Sequence, residues 1–293
     1  MKKSVLILLI VLFETVACFN EPVLYSHRGK VIVVSVGLDY ANSAVQTLSG
    51  TVSDSTEVAL CFQDIYLLKG IQCEVVMMEA EGECDVRSPL YPEPDNLDMI
   101  INKLDLCKND LLIFYYSGHG LLSGSDLQLV LGKVNDESEY SLYNAGHLIE
   151  RFSDLGCPCL VILDCCYSGS LVGESEYKLG EILNTFSTGK SSEVSIIASS
   201  KSEQISLVSS VFTEEGIGEN HSLFSISLLK QLGWVHTYSV ERNLNGRKIY
   251  GYSSGVMGPM TATELFLSVV RDWKSVNQTP VISRTIMPVT VIP

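Results

Sequence analysis

Apolar residues along this chain fall into two alternating patterns. The first is a short run rich in β-branched side chains, found at Lys30–Val36, Gln72–Met78, Leu111–Tyr116, Cys159–Leu163 and Val194–Ala198. Runs of this length bounded by polar segments predict buried strands. Leu127–Leu131 predicts one more short strand. The second pattern has helical spacing. Val58, Cys61, Phe62, Ile65 and Leu68 line one face of a helix expected over Asp54–Lys69, which Gly70 ends. Asp95 is expected to cap a helix reaching Cys107. Further helices are expected over Ser141–Leu155, Asn220–Leu232 and Thr261–Trp273, and Glu79–Pro94 and the polar stretch Leu171–Ser192 read as loops.

Strands and helices thus alternate at short intervals. That order predicts a single α/β domain with a mostly parallel central sheet and helices on both faces. No repeat and no linker divides it. In such sheets chemistry gathers beyond the carboxyl ends of the strands. Two segments stand there: Ser117-Gly118-His119-Gly120 after the third core strand, and Asp164-Cys165-Cys166-Tyr167-Ser168-Gly169-Ser170 after the fourth.

The chain has 293 residues and a net charge of −14, enough length for one sizeable core. An acidic surface repels phosphate backbones, so nucleic acid is not an expected partner. Lys2 and Lys3 precede an apolar run from Val5 to Phe13, and Thr15 and Ala17 occupy the small positions before a cleavage point. This is the layout of a secretory signal peptide over residues 1–17. The run is shorter than the ~20 residues of a membrane span. The expected location is the secretory pathway or the extracellular space. Membrane attachment is expected only if the segment is retained or if Cys18 carries a lipid. Of the nine cysteines, Cys73 and Cys84 are candidates to pair after export; Cys157 and Cys159 lack the second pair that a zinc site requires. Asn220-His221-Ser222 and Asn277-Gln278-Thr279 are glycosylation sequons.

A thiol attacks a carbonyl well only as a thiolate, and imidazole is its natural partner near neutral pH. His119 and Cys166 lie 47 residues apart (166 − 119), room for one helix between two neighbouring strands. They are the candidate catalytic pair. The backbone N–H groups of Gly120 and Cys166 are the candidate oxyanion donors. Two competing motifs are weak. Gly251-Tyr252-Ser253-Ser254-Gly255 fits the serine-hydrolase elbow, but Val256-Met257-Gly258-Pro259 is a poor helix start. Gly189-Lys190-Ser191 resembles the end of a phosphate loop, but Asn184 replaces its first glycine.

Tyr115-Tyr116-Ser117-Gly118-His119-Gly120 and Asp164-Cys165-Cys166-Tyr167-Ser168-Gly169 resemble the two signature segments of metacaspases, relatives of the caspases. Leu48–Asp54, Ile196–Ser200 with Gln204 and Ser206, His221–Leu229 and Gln278–Pro280 resemble weaker segments of that family. The resemblance covers roughly residues 28–285, leaving 286–293 as a C-terminal tail. It implies a cysteine endopeptidase with Cys166 as nucleophile and Cys165 as buried packing. It further implies an acidic specificity pocket at Asp54, Ser117 and Asp164, hence cleavage after Arg or Lys in a protein or peptide substrate. Asp164 is expected to be partly wet, serving substrate and not the core. The residues alone also allow Asp54 a plain capping role, as the first residue of Asp54-Ser55-Thr56-Glu57, and Asp164 a turn-capping one. His27, His147, His221 and His236 have no motif context and are expected at the surface or in packing.

Two departures from the family pattern stand out. Tyr167 takes the position where a histidine is usual. The family's adjacent calcium-binding aspartates have no counterpart between His119 and Leu155, where Asp126, Asp136, Glu137 and Glu139 are arranged differently. No cofactor or metal is therefore expected, with calcium activation left open. Lys178 and Lys190 are the basic residues of the loop after Cys166 and the expected self-cleavage sites. A legumain-like protease and a catalytically silent binding domain are the competing readings.

Overall fold

Eight strands carry the framework: β1 (Val31–Leu38), β2 (Cys73–Ala80), β3 (Leu111–Ser117), β4 (Gly120–Ser123), β5 (Asp126–Leu131), β6 (Ser141–Asn144), β7 (Cys159–Asp164) and β8 (Val194–Ala198). The computed structural model describes residues 29–133, 139–172, 194–213, 216–244, 247–256, 258–271, 273–283 and 289–293. The central sheet runs β8-β7-β3-β1-β2, all parallel, with Val281–Ile282 pairing antiparallel on the β8 edge. The expected mostly parallel α/β sheet is present. A second, antiparallel sheet of β4, β5 and β6 follows directly from β3.

Alternation along the strands splits the core in two. Ile32, Val34, Val36, Leu112, Phe114 and Tyr116 pack on one face against helices α2 (Pro94–Asn102) and α3 (Ala145–Asp154). Val31, Val33, Leu111, Ile113 and Tyr115 face the other way, toward α1 (Thr51–Leu68), α4 (Leu223–Gln231) and α5 (Ala262–Arg271). All eight residues of β1 are buried, as a strand covered on both faces requires.

Several boundaries differ from expectation, each for a local reason. Helix α1 begins at Thr51, with Gly50 as N-cap at φ 103°. A Cβ at Gly50 would stand 2.1 Å from the Asn220 carbonyl oxygen, so both the conformation and the close approach require glycine. Asp54 therefore sits inside the first turn and caps nothing. Asp95 is likewise not a cap: the Glu93 carboxylate accepts the Asn96 N–H at 3.0 Å, and Pro94 opens α2. That helix ends at Asn102, short of Cys107. Ser141–Asn144, expected as helix, is strand, and the Asn144 side chain caps α3 by accepting the His147 N–H. Asn220 to Ser222 end a strand, β10 (Gly216–Ser222), paired with β9 (Val208–Thr213). Ser222 then caps α4 by accepting the Ser225 N–H at 2.8 Å.

Thr290–Ile292 pairs with Met260–Thr261, Val291 and Ile292 are buried, and the Tyr66 hydroxyl donates to the Val291 carbonyl. Cys73 opens β2 and Cys84 lies past its far end, separated by about 23 Å of extended strand. A disulfide needs Cα atoms within about 7 Å, so this pair does not form. Tyr252–Ser253 is a strand paired with Trp234–Val235, and the buried Ser253 hydroxyl donates to the Leu232 carbonyl; no nucleophile elbow exists there. Asn277 is exposed, whereas Asn220 donates its side-chain N–H to Ser49 at 3.0 Å. Among the described residues no helix is long and apolar enough to cross a membrane. The signal-peptide segment, His27, Asp136, Glu137, Lys178, Lys190 and Gly189-Lys190-Ser191 lie outside the described residues.

Candidate active site

Ser117 and Asp164 are register partners at the ends of the adjacent parallel strands β3 and β7. His119 and Cys166 each follow two residues later, so the two leave the same edge of the sheet side by side. The Gly118 N–H donates to the Asp164 carbonyl at 3.3 Å, extending the pairing one step beyond the sheet. Gly120 is pressed against the second segment. A Cβ there would meet the Cys166 carbonyl oxygen at 2.3 Å and the Cys165 sulfur at 3.0 Å. Only glycine permits this approach of two backbones.

His119 is fixed from three sides. Its ring Nε2 lies 2.6 Å from the Gln46 carbonyl oxygen. Its backbone N–H donates to the Tyr40 hydroxyl at 2.9 Å, and its carbonyl accepts the Tyr116 hydroxyl at 2.8 Å. The Tyr40 ring lies against the imidazole at 4.7 Å between centroids. A carbonyl can only accept, so Nε2 carries a proton, and in the neutral imidazole it is then Nδ1 that holds the lone pair. Cys166 is half-buried, and Cys165 is fully buried. Burial pushes the Cys166 thiol up, with Asp164 adding to the rise, while the N–H groups of Ser206 and of Cys166 itself counter it. Tyr167 stands at φ 61° and donates its N–H to the Gln204 carbonyl at 2.8 Å. Gln278, fully buried, donates to the Ser199 carbonyl and accepts the Leu207 N–H, bracing the segment that faces Cys166.

The acids behind this edge are deeper than expected. Asp164 is 3% exposed and accepts hydroxyl hydrogens from Ser206 and Ser225, each at 2.7 Å, and from Ser222. It is neither partly wet nor a turn cap. Asp54 accepts from Ser117, from the Ser222 N–H and from His221, whose Nδ1 is 2.7 Å away. Burial raises the Asp54 carboxyl to about 6, against the pull of His221. Asp54, Ser117 and Asp164 are thus brought together, as expected. His221, expected as surface or packing, is buried in the same cluster. Its position rests on a contact spanning 167 residues, for which the local sequence holds no signal.

Of the four acidic residues between His119 and Leu155 considered for calcium, Asp126 and Glu139 are among the described residues. Asp126 opens β5, and Glu139 lies near Lys133 at 3.3 Å, beside the opposite end of that strand. Among the described residues no group of three acidic, histidine or cysteine side chains is placed to hold a metal ion.

Comparison with known proteins identifies the family and the fold. Metacaspase-8 of Arabidopsis thaliana is 26% identical over 153 residues, a stretch that covers 50% of this chain and 39% of that protein. A protein of known crystal structure from Geobacter sulfurreducens shares the fold, with a TM-score of 0.51 at 16% identity, over 86% of this chain and 92% of that one. The family model of the caspase domain matches residues 28–286, and the chain belongs to that family of cysteine peptidases.

Proposed function

We propose that this protein is a cysteine endopeptidase in which His119 and Cys166 act as a pair and which cleaves after Arg or Lys. The observation that carries the pairing is the shared register of β3 and β7, with the His119 ring held at the Gln46 carbonyl. Held this way, Nδ1 takes the Cys166 proton as the sulfur attacks the scissile carbonyl. The Gly120 and Cys166 N–H groups face the developing oxyanion. When the C–N bond breaks, the same proton passes from Nδ1 to the leaving amine, and water then hydrolyses the thioester. Burial works against a resting thiolate, which makes the His119 base necessary for attack.

The basic preference rests on chemistry. Asp54 and Asp164 put two carboxylates behind the dyad, and a buried carboxylate pair attracts a cation and repels an acidic side chain. Lys178 and Lys190, close after Cys166 in the chain, are then the enzyme's own candidate cleavage points, and the residue 1–17 pattern directs the protein to a secretory route. Calcium remains an activator to test in the same assay. A peptide library presented to the purified protein, with and without added calcium, tests the reading. Arg or Lys before the cut is the expected result. Asp or Asn at that position would refute the acidic pocket and favour caspase-like or legumain-like selectivity.

A further inference from the structure

The acidic cluster contains a basic side chain of its own. Asp54, Glu57 and Asp164 are all at most 4% exposed, and His221 among them is 5% exposed. His221 turns Nδ1 to Asp54 at 2.7 Å and Nε2 to Glu57 at 3.7 Å. A ring with a carboxylate at each nitrogen is in the setting that favours the doubly protonated form, because both nitrogens then donate. Three buried carboxylates repel one another unless positive charge stands between them. Ser117, Ser206, Ser222 and Ser225 supply hydroxyl donors to Asp54 and Asp164 but no charge.

We propose that His221 is a specificity-determining residue: an internal cation seated in the acidic pocket, with which the basic side chain of a substrate must compete. The proposal rests on the basic-residue preference proposed above and says how that preference is regulated. A guanidinium or ammonium group gains most from Asp54 when the imidazole is neutral or has swung aside. The sign follows from the pair. As pH rises Asp54 ionises, near about 6, and an imidazole is the side chain that ordinarily gives up its charge in the neutral range. Each step makes the pocket more negative, so affinity for a cationic side chain rises with pH.

The other titratable groups around His221 do not reverse that sign. Asp164 comes from β7 and Glu57 from α1, and both add negative charge. His236 Nδ1 lies 4.0 Å from Glu57, so its deprotonation acts in the same direction. Tyr115 on β3 is pushed far up by burial and stays neutral. Lys230, the one charged residue of α4, is exposed, and Arg247 is bound to Ser53 and Thr56.

The test is KM against pH for two peptides that differ only in Arg or its neutral isostere citrulline before the cut. For the wild type the Arg peptide's KM is expected to fall about tenfold from about pH 6 to about pH 8, while the citrulline peptide's stays level. His221→Gln keeps a donor for Asp54 and removes the imidazole titration. At pH 6 its Arg-peptide KM is expected to be about fivefold below wild type, with the slope reduced to the roughly twofold change that Asp54 alone gives. An Arg-peptide KM that is level in the wild type and unchanged in the variant overturns the proposal. If His221→Gln does not fold, competitive inhibition of the wild type by agmatine over the same pH range decides: about tenfold tighter inhibition supports it, and a constant inhibition constant overturns it. A wild type that cuts efficiently but never after Arg or Lys overturns the basic preference and this proposal together. A level KM with cleavage after Arg overturns this proposal alone.

Discussion

The dyad edge and the acid cluster lie within a few residues of each other in the chain, yet they are built on different principles. At the edge, two adjacent strands deliver His119 and Cys166 by register alone, and backbone groups complete the arrangement: the Gln46 carbonyl, the Tyr40-bound N–H of His119 and the backbone of Gly120. In the cluster nearly every contact is between side chains, and the partners come from α1, β7, β10 and α4. The difference teaches what each region tolerates. A backbone-held site can lose a side chain and keep its shape. A buried network that loses one partner leaves the others unsatisfied. Strain follows the first region. Tyr40 at φ 59° and Tyr167 at φ 61° are the non-glycine residues with positive φ among the described residues, one touching His119 and the other following Cys166. Such conformations cost of order 1–3 kcal/mol and persist where surrounding structure over-determines them.

The largest effect expected from this contrast is at Cys166. Cys166→Ala should lower peptide cleavage by at least about a thousandfold, because nucleophile and base act as a unit. Thermal unfolding should scarcely move, since the half-buried thiol makes few packing contacts. Cys165→Ala, in the fully buried neighbour, should show the reverse: retained activity with a lower melting temperature. Activity lost in the Cys165 variant and kept in the Cys166 variant would reassign the nucleophile. Next in size is Asp164→Asn. Three hydroxyls converge on this carboxylate, and an amide offers one acceptor oxygen in place of two. The expected loss is about 1–3 kcal/mol of stability by denaturant unfolding, along with a raised KM for Arg peptides. Unchanged stability with a raised KM would restore the partly wet carboxylate that the sequence suggested.

The same contrast explains what was legible beforehand. Four of the core strands, β1, β3, β7 and β8, are readable because each is buried on both faces and so carries a mostly apolar run, and the edge strand β2 keeps enough of that pattern to be read too. Ser141–Asn144 is not, because Ser-Leu-Tyr-Asn is half polar and its strand state depends on β5 alongside. Asp54 and Asp95 look like caps in the sequence, but the helices start earlier, at Thr51 and Pro94, behind a glycine and Glu93. His119 and Cys166 announced themselves, since glycines and a strand end mark a functional turn locally. His221 did not, since nothing around Asn220-His221-Ser222 says that Asp54 lies opposite. Local sequence encodes strand ends, and it is silent about which side chains meet across 167 residues.

The smallest expected effect is at the seam between the two regions. The Tyr40 hydroxyl accepts the His119 N–H, donates to the Val130 carbonyl at 2.8 Å and meets the Tyr116 hydroxyl at 3.1 Å. Tyr40→Phe keeps the ring against the imidazole and removes only these bonds. The single Tyr116 hydroxyl hydrogen is within reach of both the His119 and Val130 carbonyls; the His119 carbonyl also holds the Val130 N–H at 3.0 Å, which leaves Tyr116 free to serve Val130, so the His119 N–H is the group left without its acceptor. The stability loss should be about 1 kcal/mol, the cost of one unmade buried hydrogen bond. If backbone anchoring positions the base, kcat should fall severalfold with KM unchanged, because a displaced Nδ1 slows proton transfer without touching the specificity pocket. Tyr40→Leu, which also removes the ring contact, should deepen the kcat loss. A lowered melting temperature with kcat intact in both variants would make Tyr40 a core residue only, and the base would then be held by the Gln46 carbonyl alone.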